Sequence, residues 1–229
     1  FSNGTANLFS PANSIVLNDF FARNLGRSRE DTKNLIYFFG GPDVLFPNLL
    51  FPNLEKMVLV GLENPGSLLD PANLKARGLL GRKMAEISRA YVSIMKMSYY
   101  ITNQMSSELQ DFGTATMISV GLVANNFVIQ SADRISIDES GKAYMNPNGN
   151  GVRISYKKPN GRNGEVYYFQ QNLADEKLQA APGFMRFMEQ IPFDTAYYKA
   201  ASYVPQMGDF NIVNNFVMNT VSHVVQNDD

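Results

Sequence analysis

Two short runs, LIYFF at 35–39 and KMVLVGL at 56–62, stay apolar without alternation. A strand with one wet face alternates apolar and polar side chains, so an unbroken run of this kind predicts a strand covered on both faces. Such strands belong to parallel sheets, and parallel neighbours need a crossover connection. The intervening segment supplies one. Gly40-Gly41-Pro42-Asp43 stops the first run, and Pro42-Asp43 can open a short helix, DVLFPNLLF, that Pro47 limits or kinks. A βαβ unit follows, with the near-universal right hand.

The remainder of the chain predicts elements in a mixed order. Ser10-Pro11 followed by ANSIVLNDFFARNLG reads as an N-cap, a proline at the first helical position and Gly26 as the stop. After Asp70-Pro71, the residues Met84, Ile87, Tyr91, Ile94, Ser98, Ile101 and Met105 recur in steps of three and four. They form one helical stripe, packed against the sheet or against a partner, with a break at Tyr99-Tyr100. TATMISVGLVANNFVIQ reads as a helix, with enough Val, Ile and Thr for a strand. RISID, GVRISYKK and EVYYFQQNL, separated by Gly- and Asn-rich turns, predict a β-hairpin or meander inserted at about 133–171. Pro182-Gly183 separates two short helices. AYYKAASYV and DFNIVNNFVMNTV predict two more, the second capped by Asp209, and SHVVQ a final strand. The whole reads as a single α/β domain over 1–229, with a mainly parallel, Rossmann-like sheet, flanking helices and a small antiparallel insertion.

Composition narrows the function classes. At 229 residues with 45% apolar residues, the chain can bury a full core. Its 20 basic and 21 acidic residues leave a formal charge of -1, which creates no field for gathering nucleic acid. No apolar run reaches the length of a transmembrane helix. The absence of cysteine removes disulfides, zinc thiolates and thiol nucleophiles. The lone His223 cannot build a multi-histidine metal site, and a packed or half-exposed histidine outweighs a general base there. No P-loop, H-E-x-x-H, G-x-S-x-G or EF-hand pattern occurs. The start at Phe1 suggests that a leader, tag or head was removed.

One constellation remains. Gly40 and Gly41 follow a buried strand and permit a tight turn with close backbone approach to a ligand. Glu63 ends the next strand, twenty residues beyond Asp43. Nucleotide-binding α/β sheets place an acid there against ribose hydroxyls. The third glycine of a dinucleotide site is missing, Pro42 lacks an N–H, and Asp43 would repel a phosphate. S-adenosylmethionine, which carries no phosphate, fits better. Since ligands lie at the carboxyl ends of parallel strands, Gly40, Gly41, Asp43, Glu63, Lys199 and Tyr203 are the candidate ligand-binding residues. Asp228 and Asp229, after the last strand, are the candidate metal ligands. The expected partner is a small polar molecule or a cation bound without chemistry, the alternative a methyltransferase-like enzyme. A turn with a helix cap and solvated acids would account for the same residues. No catalytic residue, cofactor or oligomeric state is specified.

Tyr37-Phe38-Phe39-Gly40-Gly41-Pro42-Asp43, then Phe51-Pro52, Gly61-Leu62-Glu63 with Pro65, Lys199-Ala200-Ala201-Ser202-Tyr203 and Gln226-Asn227-Asp228-Asp229 span most of the chain in order. This series resembles an uncharacterised bacterial family of exported-looking proteins. The family pattern reads Tyr-x-Phe-Ser-Gly-Pro-Asp, Phe-Pro, Gly-Leu-Glu-Pro, Lys-x-x-Ser-Tyr and Gln-Asp-Asp. Two departures stand out: Gly40 replaces the serine, and Asn227 interrupts the terminal acids. The resemblance implies a secreted, periplasmic or cell-surface location and a shared site, and a family chain that continues past the position of Asp229. It implies no reaction.

Overall fold

The computed structural model describes residues 21, 23–68, 75–78, 81–82, 85–87, 102–199 and 207–226. Its strands are β1 (Asn34–Phe38), β2 (Lys56–Gly61), β3 (Val128–Ile137), β4 (Ala143–Met145), β5 (Gly151–Lys157), β6 (Asn163–Gln170), β7 (Thr195–Tyr198) and β8 (His223–Gln226). They form one eight-stranded mixed sheet in the order β4-β3-β5-β6-β2-β1-β7-β8. From β6 to β8 every pairing is parallel. From β4 to β6 every pairing is antiparallel. The helices are α1 (Arg27–Asp31), α2 (Leu45–Leu50), α3 (Thr102–Ala124), α4 (Asp175–Gln179), α5 (Pro182–Glu189) and α6 (Asn211–Thr220).

The unbroken apolar runs are explained by two cores, one on each face of the sheet. Leu35, Tyr37, Met57, Leu59, Val166 and Tyr168 point to one face and pack with the α2 and α3 segments. Ile36, Phe38, Val58, Val60, Tyr167 and Phe169 point to the other and pack with α4, α5 and α6. Successive side chains on a strand point to opposite faces, so each central strand feeds both cores.

The path of the chain accounts for this division. From β1 it steps outward to β2 and then β6, through α2 and α3. It then returns past β1 to lay down β7 and β8 on the other side, through α4, α5 and α6. Right-handed crossovers that step in opposite directions along a sheet lie on opposite faces, which is where the two helix groups are found. The stepping direction reverses between β1 and β7, and the loops leaving these neighbouring strands diverge there.

Several sequence expectations are corrected. AYYKAASYV does not begin as a helix, because Thr195–Tyr198 is the buried strand β7, paired on both sides. Tyr197 and Tyr198 fill opposite cores, a task that helical spacing would not allow. TATMISVGLVANNFVIQ divides in two: the helix ends at Ala124, Asn126 turns with φ of +60°, and Val128 begins β3. The inserted block is accordingly longer at its start than 133–171. Asp209 does not cap α6; the carboxylate of Asp175 accepts the backbone N–H groups of Asn211 and Ile212 at 3.1 and 2.8 Å. The Pro182 break, the two short helices around it and the last strand stand as expected. Most of the first helix lies outside the described residues, but residues 23–25 are helical and Gly26 interrupts them with φ of +54°. Of the Met84-to-Met105 stripe, Ile87 is described and fully buried, while positions 84, 91, 94, 98 and 101 lie outside the described residues.

Candidate functional site

The site is built on the loops that leave β1, β2 and β7 at their carboxyl ends. After Phe38 the chain reverses through Phe39 (φ +57°), Gly40 and Gly41 (φ +50°). Gly40 N–H donates to the Val60 carbonyl at 3.1 Å, which ties the turn to the end of β2. A Cβ on Gly40 would lie 2.7 Å from the Tyr37 ring, so the turn closes this tightly only with glycine.

Asp43, three residues on, has a side chain with no exposed surface. Its Oδ1 accepts the Phe46 N–H at 3.2 Å and thereby holds the start of α2. Its Oδ2 accepts the Tyr37 hydroxyl at 3.2 Å and the Lys199 ammonium at 3.1 Å. Lys199 follows β7 directly, and its Nζ also stands 3.4 Å from the centroid of the Phe46 ring. An ammonium between a carboxylate and an aromatic face is held by both charge and quadrupole. Tyr197 packs against Tyr37 with ring centroids 4.6 Å apart and the rings tilted by 50°. Burial, and then the charge of Asp43, push its hydroxyl well above the usual phenol range.

Glu63 completes the edge. Tyr168 on β6 donates to the Glu63 carbonyl at 2.6 Å and reaches Oε2 at 3.3 Å. Burial, followed by the Glu63 charge, raises the Tyr168 hydroxyl as well. The carboxylate folds back over Gly61, where a Cβ would collide with it. It lies beside the first turn too, since Oε2 would be 3.9 Å from a Cβ on Gly41. The loop beyond Glu63 is pinned by α3, whose backbone breaks at Gly113 with φ of +73°. Thr114 donates both N–H and Oγ1 to the Asn64 carbonyl, at 3.2 and 2.9 Å, and Ala115 N–H donates to Pro65 at 2.9 Å.

The structure therefore brings Gly40, Gly41, Asp43, Glu63 and Lys199 to one edge of the sheet. Lys199 arrives there from a strand and not from a helix. Asp43 is enclosed and fully engaged, whereas Glu63 is half-exposed beside Gly41. Tyr203, Asp228 and Asp229 lie outside the described residues. Among the described residues no group of three or more His, Asp or Glu side chains is placed to hold a metal ion. His223 begins β8 at the amino edge, where its N–H donates to Asp194 at 3.0 Å, away from the site. Reading the sequence missed Tyr37, Tyr168, Tyr197 and Phe46. The available signal was the tyrosines themselves, since a buried phenol in an apolar strand needs a partner for its hydroxyl.

Compared with family models, with curated proteins and with solved structures, the chain matches none, so the chemistry of the site is read from its own residues.

Proposed function

We propose that the carboxyl edge of β2, β1 and β7 binds a small, hydroxyl-bearing polar ligand, and that the chain serves as a ligand-binding protein of the bacterial envelope. The observation that carries this reading is the Lys199–Asp43 pair, built across the point where the strand order reverses between β1 and β7. Ligands of open, doubly wound sheets lie in the crevice at such a point. On this reading the five parallel strands are a Rossmann-like half-sheet, extended by the antiparallel block.

The residues divide by role. Asp43 touches no ligand; it positions Lys199 and the turn. Lys199 supplies positive potential to the crevice. Glu63 accepts ligand hydroxyls, and the buried Gly41, with φ of +50°, makes the turn beside which that carboxylate lies. A cation is the less suitable occupant, because Lys199 already neutralises Asp43 and Glu63 is left as the carboxylate available among the described residues. The envelope location is supported by the family resemblance alone, carried by the pieces from Tyr37 to Asp229.

A second reading is favoured by Glu63 standing beside Gly41. An acid after the second strand, next to a glycine turn after the first, is where nucleotide-binding sheets hold a ribose. S-adenosylmethionine, with no phosphate to meet Pro42, is the cofactor this geometry suits. Calorimetry with adenosine, S-adenosylmethionine, ribose and galactose tests both readings. At least one probe is expected to bind saturably and to lose about tenfold in affinity, ~1.4 kcal/mol, in Glu63→Ala. Adenosine and S-adenosylmethionine binding alone would select the second reading; no heat from any probe at millimolar concentration would refute both.

A further inference from the structure

A cavity lies on the same face of the sheet as Tyr168, beside β3. It measures about 430 Å³ and is lined by residues 66–68, 132–134 and 145–147, which bring Arg134 and Asp133 together with Leu68, Ala132 and Met145. This volume is ordinary for a small-molecule site, and so is the mixture of an apolar wall with a few polar groups.

Arg134 is its unusual member. The guanidinium is half-buried, and its two terminal nitrogens donate to the carbonyls of Gly66 and Gly149. Its Nε is buried and has no hydrogen-bond partner among the described residues. Among the same residues no carboxylate stands within ion-pair distance of it. Asp133, its neighbour on β3, pairs in register with Arg153 on β5 and its charge acts on that arginine. A guanidinium offers five donors in a rigid fork, and two carbonyl dipoles satisfy neither its charge nor its donor count.

The walls are held in place independently of any ligand. The backbones of Gly66 and Gly113 meet so closely that a Cβ on either would collide with the other. Asn146 N–H donates to the Arg134 carbonyl at 2.9 Å, and its side-chain amide donates to Ser136 Oγ at 2.9 Å. The cavity is thus a fixed recess in which Arg134 has no ion pair among the described residues, with Leu68, Ala132 and Met145 beside it and Asp133, the acid of the lining, set opposite Arg153.

The geometry points to a second binding site, for an organic carboxylate with a short apolar body. The carboxylate provides the counter-charge that Arg134 lacks, through charge-assisted hydrogen bonds. The apolar body covers the Leu68, Ala132 and Met145 side. Inorganic phosphate offers the same charge without that body, and is the weaker ligand of the two. This site shares no residue with the edge formed by Asp43, Glu63 and Lys199.

The test titrates benzoate, benzamide and inorganic phosphate into the full chain by calorimetry, with the arginine Nε–H signals of ¹⁵N-labelled protein as a second readout. Benzoate is expected to bind at least fivefold tighter than benzamide and than phosphate, and to move the Arg134 Nε–H resonance. Arg134→Gln removes the staple on Gly66 and Gly149 and so can fail to fold. Ser67→Asp leaves that staple intact, places a negative charge at the exposed rim, and is expected to weaken benzoate at least fivefold with benzamide unchanged. Ser67→Lys is expected to strengthen it. Equal affinity for benzoate and benzamide, tighter phosphate than benzoate, an unaltered benzoate affinity in Ser67→Asp, or no saturable benzoate binding would each overturn the assignment.

Discussion

Replacing Lys199 by methionine isolates the energetic role of the ion pair at the reversal point. Methionine keeps the length and the apolar stem, and its sulfur can rest on the Phe46 ring, so packing is largely preserved. What is lost is the counter-charge to a carboxylate whose side chain has no exposed surface. Breaking a buried pair by removing one partner costs about 3–5 kcal/mol, because the remaining charge stays buried and unpaired. Asp43 keeps the Tyr37 hydroxyl and the Phe46 N–H, which argues for the lower half of that range. For a chain of this size each kcal/mol moves the midpoint by ~2–4 °C, so a cost of about 3–4 kcal/mol makes Lys199→Met melt roughly 6–16 °C below the parent. The double variant Asp43→Asn with Lys199→Met restores neutrality and is expected to recover most of the loss. Urea unfolding of the four proteins in the cycle then gives a coupling of at least ~2 kcal/mol. A single variant within about 1 kcal/mol of the parent, or a double variant no better than Lys199→Met, would refute the idea that the pair is an enclosed and coupled element.

Two further outcomes follow from local geometry and titration. Gly40→Ala drives a methyl group to 2.7 Å from the Tyr37 ring; it should cost about 1–3 kcal/mol in urea unfolding, and parent-like stability would show that the turn has room to move. Burial, with a smaller push from Arg162, holds the Lys158 amine down at about 8, below its usual lysine range. Between pH 8 and 10.5 the unfolded chain therefore binds more protons than the folded one, so stability due to this group rises with pH across that window and is lost as pH falls through 8. The slope should not exceed about 1.4 kcal/mol per pH unit, and it should vanish in Lys158→Met; equal slopes in the two proteins would assign the effect elsewhere.

The sequence was legible where a local pattern and the tertiary requirement agree. Unbroken apolar runs implied strands covered on both faces, and β1 and β2 are such strands. The Gly-Gly-Pro-Asp turn and Glu63 could be placed at one edge because parallel neighbours deliver their carboxyl ends together. β7 was illegible because its identity is tertiary: Ala196, Tyr197 and Tyr198 form a strand owing to their place between β1 and β8. The partner of Asp43 was illegible for a related reason, since Lys199 stands 156 residues away and meets it only when β7 is laid beside β1. The division of the strand insertion from α3 was blurred by Val and Ile in a helix that runs without a polar break into Asn125-Asn126.

The placement of phenols against phenyl groups distinguishes the edge proposed as the ligand site from the rest of the sheet. Near the carboxyl ends of β1 and β6, adjacent residues serve the two faces: Tyr37 beside Phe38, and Tyr168 beside Phe169. Packing alone makes no demand for a hydroxyl at 37 or 168, because phenylalanine of nearly equal volume already fills the matching places on the other face. A buried hydroxyl is costly unless it is bonded. On the α2 and α3 side each is bonded to an acid, Tyr37 to Asp43 and Tyr168 to Glu63. On the opposite side the buried Tyr198 hydroxyl has no partner among the described residues, so a phenol there is not itself a sign of a site. The meaningful feature is the pairing of phenol with acid, repeated on the two strands that flank β2, on one face and at one end. Two such pairs hold the turn after β1 and the loop after β2 in fixed positions, with Gly41 and the Glu63 carboxylate between them. A sheet selected for stability alone would reach the same burial with phenylalanine and without enclosing Asp43, and this difference is the physical ground for proposing a ligand at that edge.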